Sequence, residues 1–328
     1  MLRLVYRSYG GENLKDRPAY YDKGVALQSF LRAVEAAVAA GTPVDVLFLN
    51  DGPVPAGILA LQRPAGRLVE LGGVGLRASY VAGLHAPDTF GWADDDVVWF
   101  SEDDYLYRPD AFTALAAAAS ALPEVDYFAL YGAVPEAVAG TPATGGAPQG
   151  PWVPAGFRSG RVGTAAGVGW DRILSTTSSF GGRVGALRAD LGIFRLCMVP
   201  HRTMFRDHDT CVALQGLRPY RYRDLGRSLV RRDGRPARRW LRDAALAPFL
   251  VATNLRAHRR PSRRRVVAGA VPNLATHLEN GMIASGTDWE RVAAEVGTWA
   301  SGRGPVIVQG LPGGAPRARR RAVGLVAG

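Results

Sequence analysis

Through the first 131 residues, short apolar runs alternate with longer stretches in which apolar positions recur every three or four residues. Leu2 to Tyr6 reads as a strand, broken by Gly10 and Gly11. Between Asp22 and Ala40 the positions Val25, Leu27, Phe30, Leu31, Val34 and Val38 keep a helical spacing, and Gly41-Thr42-Pro43 closes that helix. Val44 to Leu49 predicts a second strand ending in the turn Asn50-Asp51-Gly52-Pro53. Arg67 to Leu71 reads as a third strand and Gly75 to Leu84 as a short helix. Val97 to Phe100 is too short for a typical helix and is β-branched and aromatic, which predicts a buried strand. A helix from Pro109 to Ala121, with proline near its start, and a strand from Asp126 to Tyr131 follow. This alternation predicts an α/β fold: one open, mainly parallel sheet flanked by helices.

The pattern then changes. Val134 to Gly160 is rich in Pro, Gly, Ala and Thr with little periodicity, and reads as a flexible loop or lid. Structure resumes around Val168 to Phe180, and residues 188–199 read as a helix running into a short buried segment. Asp207 to Leu214 opens another helix, its acidic residues at the end where the helix dipole favours them. Pro236 to Leu250 and Asp288 to Trp299 are further helices. The chain therefore divides into an α/β half (1–131), a loop or lid (132–160), a second half (161–217) and an Arg-rich, mostly helical C-terminal extension (218–328).

Charge sharpens that last boundary. The net charge is +11, yet Arg218 to Arg265 holds sixteen Arg, no Lys, three Asp and no Glu, which is +13, so the rest of the chain is near −2. Only Lys15 and Lys23 are lysines, and together with the Ala and Gly content this reads as the composition of a GC-rich bacterium. A basic field attracts phosphate without sequence preference. Neither a zinc-finger nor an RNP-like signature accompanies it, so no dedicated nucleic-acid partner is expected. An anionic acceptor, a lipid headgroup surface or another subunit suits it better. No run of about 18 apolar residues predicts a membrane span. The strand-like N-terminus is too short for a signal peptide. Cys197 and Cys211, in apolar surroundings, make no disulfide framework. The expected location is the cytoplasm, with peripheral contact at the inner membrane face open to the basic segment.

The chemistry concentrates in Ser101-Glu102-Asp103-Asp104-Tyr105-Leu106, directly after the buried strand. Crevices at the carboxyl ends of parallel strands are where α/β proteins bind ligands. Adjacent carboxylates repel unless a cation neutralises them, and hard oxygen ligands suit Mg²⁺ or Mn²⁺. In an extended segment Glu102 and Asp104 would face one ion, and Asp103 the other side, toward a sugar hydroxyl or the backbone. Asp51, also at a strand end, either accepts from a base or ribose hydroxyl or only shapes its turn. On the same edge Arg7 is placed to pair with phosphate and Tyr9 to stack on a base. In Asp207-His208-Asp209 one carboxylate is a candidate general base for an acceptor hydroxyl. His277 is a candidate Mn²⁺ ligand, or else surface polar or a satisfied buried histidine. Asp94-Asp95-Asp96 lies at the amino end of the strand and reads as a solvated turn or strand-start cap. Gly73-Val74-Gly75-Leu76-Arg77-Ala78 fits the GxGxxA dinucleotide pattern, but it does not join a first strand and helix and leaves the acidic run unexplained.

Taken in order, LVYRSYGG, VDVLFLNDGP, GGVGLRASYVAGL and VVWFSEDDYLY resemble the successive pieces of bacterial GT-A-fold glycosyltransferases of the family 2 type. The resemblance covers residues 1–131 and thins beyond. It implies a GT-A-like fold, a nucleotide-sugar-binding first half, an acceptor-side segment 161–217 and a nucleoside-diphosphate-sugar donor. It also implies that Asp51 contacts the nucleotide, that Glu102 and Asp104 occupy the two acidic positions of a DxD-like motif, and that His277 matches a C-terminal metal histidine. Asp207 or Asp209 matches the base of inverting members. Glu102 departs from the strict motif, whose first acidic residue is aspartate. The expected reaction is Mn²⁺- or Mg²⁺-dependent sugar transfer to a hydroxyl, with inversion. The alternatives are a metal-dependent nucleotidyltransferase that uses a nucleoside triphosphate, or a basic nucleic-acid-binding protein.

Overall fold

The computed structural model describes residues 1–12, 15–133, 153–199, 207–230, 236–258, 264–301 and 304–308. Most of the expected lid, 134–152, lies outside them. The first half runs β1 (Leu2–Tyr9), α1 (Lys23–Ala39), β2 (Val44–Asp51), α2 (Ala56–Ala65), β3 (Arg67–Glu70), α3 (Leu76–Thr89), β4 (Val97–Glu102), β5 (Tyr105–Tyr107), α4 (Ala111–Ala121), β6 (Tyr127–Ala129) and β7 (Gly132–Ala133). The second half runs β8 (Arg161–Ala165), β9 (Val168–Arg172), β10 (Ser175–Thr176), β11 (Phe180–Arg183), α5 (Val184–Met198), α6 (Asp207–Leu214), α7 (Tyr222–Leu229), α8 (Ala237–His258), β12 (Val267–Val271), β13 (Ala275–His277) and α9 (Trp289–Ala300).

Nine strands form one open sheet in the order β3-β2-β1-β4-β11-β6-β12-β9-β8. Its first four strands are parallel, as the alternating sequence predicts. Beyond β4 the sheet is mixed: β11 runs antiparallel to both β4 and β6, and β12 is parallel to β6 but antiparallel to β9. β11 fits there because it is nearly bare. A Cβ on Gly182 would stand 2.7 Å from the Tyr127 ring, so glycine lets a large aromatic lie across the strand. The fold is thus the α/β, GT-A-like open sheet flanked by helices that the sequence leads one to expect. Its C-terminal part is largely helical but also contributes β12 to the sheet, between β6 and β9.

Both faces of the sheet are covered, which is why β1, β2 and β4 read as nearly continuous apolar runs. On one face α1 and α4 bury Phe30, Leu31, Phe112 and Leu115 against Tyr6, Phe48 and Trp99. On the other, α3 and α5 bury Leu84, Leu187 and Phe194 against Val5, Leu49 and Phe100. Helix α1 starts where Asp22 accepts the Val25 N–H at 2.8 Å, and Gly41 (φ +80°) follows its end. Buried Ser29 on α1 donates to Ala26 O at 2.7 Å and accepts the Tyr107 N–H at 3.0 Å, tying α1 to β5. β5 lies outside the main sheet and pairs with β13.

Asp96 is a buried strand-start cap rather than a solvated turn: it accepts from Arg3 Nε at 2.9 Å and Ala93 N at 3.2 Å. Cys197 and Cys211 are buried free thiols. No helix among the described residues is long and apolar enough to cross a membrane.

Candidate active site

Parallel register sets Arg7 opposite Glu102 and Tyr9 opposite Asp51, so residues from three strand ends share one edge of the sheet. β4 ends at Glu102, and a turn at residues 103–104 separates it from β5. That turn breaks strand alternation, and the three carboxylates enter three different surroundings.

Glu102 is bonded to Arg7 Nη2 and accepts from Ser178 Oγ at 2.5 Å. Arg7 is turned inward: Nη1 donates to Ser79 Oγ at 3.2 Å and to Leu76 O at 3.3 Å. Asp103 accepts the Tyr9 N–H at 2.9 Å and pairs with Lys23 Nζ at 3.0 Å. Burial raises its carboxyl above the usual range against the opposing charge of Lys23. Lys23 also donates to Tyr9 O at 2.7 Å and Gly11 O at 2.6 Å, so it pins the end of β1 to the acidic turn.

Asp104 is buried. Its Oδ2 lies 3.0 Å from Arg17 Nη2, 3.1 Å from His277 Nε2 and 3.3 Å from Lys15 Nζ. Among the described contacts the two expected acidic residues are held differently: Glu102 by Arg7 and Ser178, and Asp104 by His277, Arg17 and Lys15. Burial alone would raise the Asp104 carboxyl, but the His277 hydrogen bond and the charges of Lys15 and Arg17 hold it well below the usual carboxylate range.

His277 arrives through β13, whose antiparallel pairing with β5 sets it opposite Tyr105. Its imidazole stacks on the Tyr105 ring, centroids 4.9 Å apart and planes at 15°. Lys15 Nζ is 3.1 Å from His277 Nε2 and 3.2 Å from Glu279 Oε2. A tethered ammonium therefore stands among Asp104, His277 and Glu279. The arrangement is over-subscribed. Lysine only donates and an ionised aspartate only accepts, so His277 Nε2 satisfies one of them at a time.

This set bears on the expected Mn²⁺ or Mg²⁺. Asp104 Oδ1 and His277 Nδ1 are buried with no hydrogen-bond partner among the described residues. Lys15 acts as a stand-in cation between the donors. Among the described residues no group of three or more His, Cys, Asp or Glu side chains is arranged to hold a metal ion. The residues fit a divalent ion only as a pair, Asp104 and His277, with substrate oxygens and water supplying the rest, as is common for Mg²⁺.

A cleft of about 790 Å³ opens beside this turn, between the end of β1, the start of α1 and the segment before α2. Tyr9, Tyr21, Lys23, Ile58, Leu61 and Asp103 line it. That volume is within the range of small-molecule sites. Tyr9 is 56% exposed at its rim, open to a stacking partner.

Asp51 faces elsewhere. Its buried carboxylate accepts the Val74 N–H at 2.6 Å and the Gly75 N–H at 2.8 Å. Of the two sequence readings, these contacts are those of a turn-shaping residue. They also answer the GxGxxA pattern: the backbone donors that would cradle a pyrophosphate there are taken by a protein carboxylate.

The structure separates Asp207 from Asp209 in the first turn of α6. Asp209 accepts from Tyr220 OH at 2.7 Å. Asp207 lines a cavity of about 20 Å³ with Tyr80, Thr177, Phe180 and Thr210, enough for about one water. Burial, then the charge of Glu102, pushes its carboxyl up to about 7 against the opposing charge of Arg7.

Lys15, Arg17, Lys23, Ser178 and Glu279 were not singled out by sequence reasoning. The signal for two of them was compositional. In a chain whose other cations are all arginine, each of its two lysines pairs with an aspartate of the acidic turn.

No family model matches this sequence, and no curated protein does. Among solved structures, S. aureus TarS 1-349 matches with a TM-score of 0.35 and 11% identity, over 58% of this chain and 48% of that one. The match spans about half the length of TarS 1-349, and a likeness of that size carries nothing about chemistry, which rests on this chain's own residues.

Proposed function

We propose that the protein transfers a sugar from a nucleoside-diphosphate sugar to an acceptor hydroxyl. The observation that supports this most is the meeting of Asp104, from the acidic turn after β4, with His277 from β13, next to the cleft at the carboxyl end of β1. In this reading the base stacks on Tyr9 in that cleft and the diphosphate lies toward Asp104. Asp51 contributes by fixing the 72–75 turn, and Lys23 and Asp103 by holding the cleft wall.

Asp104 and His277 would hold Mn²⁺ or Mg²⁺ in the place that the Lys15 ammonium takes beside them. A bound divalent ion supplies charge neutralisation to a leaving diphosphate. Asp207 is the better base of the two candidates, because Asp209 is engaged by Tyr220 and Asp207 is poised near neutrality. The acceptor oxygen attacks the anomeric carbon as its proton passes to the Asp207 carboxylate. The bond from anomeric carbon to diphosphate oxygen breaks, its electron pair leaves with the nucleoside diphosphate, and the anomer inverts. The acceptor is a hydroxyl compound, and the Arg-rich segment favours an anionic or membrane-associated one.

The test is release of nucleoside diphosphate from UDP-, GDP- and dTDP-sugars with added Mn²⁺, with and without candidate acceptors. Turnover of one donor that falls at least about a hundredfold in Asp207→Asn supports the reading. Pyrophosphate release from a nucleoside triphosphate, with every sugar nucleotide left intact, would overturn it in favour of nucleotidyl transfer.

A further inference from the structure

We propose a second anion site, at the opposite edge of the sheet, that takes a phosphate-bearing ligand. β12 runs in the same direction as β6 and, through β11, as β4. Its amino end at Val267 is therefore opposite the carboxyl-end crevice. There a cavity of about 430 Å³ is bounded by Arg158, Arg172, Arg264 and Arg265 over Phe157 and Leu217. The arginines come from separate places: the segment before β8, the end of β9 and the lead into β12.

One of the four is neutralised. Arg265 pairs with Asp190 at 2.7 Å and with Asp126 at 2.9 Å. The others have no carboxylate partner among the described residues, and the nearest acidic neighbour on β9, Asp171, is held by Arg161. Among the described residues the cavity thus gathers three guanidinium groups that have no carboxylate partner. Its floor is apolar: Leu217 is buried with Leu174 and Val212, and Phe157 packs against them. Low-dielectric walls strengthen attraction for an anion, and the planar guanidinium matches phosphate oxygens two at a time. The backbone accommodates the cluster as well. At Gly216 (φ +74°) a Cβ would stand 2.7 Å from Arg264 Cγ, so a bare backbone lets that side chain lie over the cavity. An arginine face turned simply to solvent needs neither a concave apolar floor nor such a crossing. Arg264 and Arg265 also close the +13 stretch of the sequence.

Phosphate can come from a soluble phosphoester or a lipid headgroup, and the test separates them. Binding of inorganic pyrophosphate, and of phosphatidic acid vesicles against phosphatidylcholine vesicles, is measured for the full chain and for the Arg172→Gln/Arg264→Gln variant. Thermal unfolding checks that the variant folds. Expected is binding of pyrophosphate, of phosphatidic acid vesicles or of both, weakened roughly tenfold or more in the variant and partly restored in Arg172→Lys/Arg264→Lys. Pyrophosphate alone names a soluble ligand; vesicle binding names a lipid. Binding that the variant leaves unchanged belongs to the other edge of the sheet, and that result, or no binding of either probe, overturns the proposal. Sugar-nucleotide turnover at the carboxyl-end crevice is a separate readout, so this site and the transfer reading fail independently.

Discussion

His277 Nε2 lies 3.1 Å from Asp104 Oδ2, although 173 positions separate the two in the chain. One short ladder makes the encounter. β5 follows the acidic turn directly, and β13 carries His277 opposite Tyr105. Removing the imidazole leaves Asp104 with Lys15 and Arg17 as its side-chain partners among the described residues, a carboxylate neutralised by tethered cations. His277→Ala should therefore lower Mn²⁺ affinity by at least about a hundredfold, because loss of a group that only supports a ligand already costs about 10–100-fold. Equilibrium dialysis or titration of the Mn²⁺ paramagnetic signal measures it. Unchanged affinity would remove His277 from the metal reading.

Lys15 should act in the opposite direction. Its ammonium occupies the space among Asp104, His277 and Glu279 that a divalent ion would need. Lys15→Ala removes a competing cation, and Mn²⁺ should bind about tenfold tighter, a modest figure because the side chain is partly solvent-screened. Arg17→Ala, which removes a donor to the same Oδ2, is the natural comparison. Weaker Mn²⁺ binding in Lys15→Ala would mean that the lysine supports the site instead of holding its place.

The pH dependence of transfer should follow Asp207. Its carboxyl is raised to about 7, first by burial and then by Glu102, and a general base works when ionised. The rate should therefore rise with pH and level off above about 7. Glu102→Gln removes a raising charge and should move that limb to lower pH. Stability carries the opposite sign. A group whose folded value exceeds its unfolded value of 3.8 stabilises most below that value, and the contribution is lost as pH rises through about 7. Asp207→Asn should flatten this part of a pH series of urea-unfolding midpoints.

Asp51→Ala should cost about 1–3 kcal/mol, since it strands two backbone N–H groups that donate to a buried carboxylate. Urea unfolding measures the loss. Nucleotide affinity should weaken with it through the 72–75 turn, and Asp51→Asn, which keeps one acceptor, should recover part of both. A stability equal to wild type would show that the turn holds without this cap.

The first half of the fold was legible because its strands are covered on both faces and its helices keep a clear apolar spacing. α2 was missed: it is short and carries Pro64, which reads as a breaker. β8 to β11 were missed because they are short, and β11 holds Gly181-Gly182 where a strand pattern expects bulk. β12 was missed inside a segment that read as an Arg-rich helical extension, because only a partner strand tells a five-residue apolar run from a buried helix turn. At the site, the acidic turn, His277 and the Asp207 region were visible as residue types. Their partners were not. Strand alternation placed Glu102 with Asp104, and the turn at 103–104, which no periodicity encodes, sent them to different neighbours. The two lysines carry a clue of their own, since they depart from the arginine preference of the rest of the chain.

The most direct test titrates the protein with UDP, GDP and dTDP by calorimetry, with and without Mn²⁺, comparing wild type with Asp104→Ala. Expected is binding of one diphosphate that tightens with Mn²⁺ in wild type and loses that metal dependence in Asp104→Ala. Binding of none of the three under either condition, or Mn²⁺-dependent binding that survives in Asp104→Ala, would contradict a donor site at Asp104 and His277.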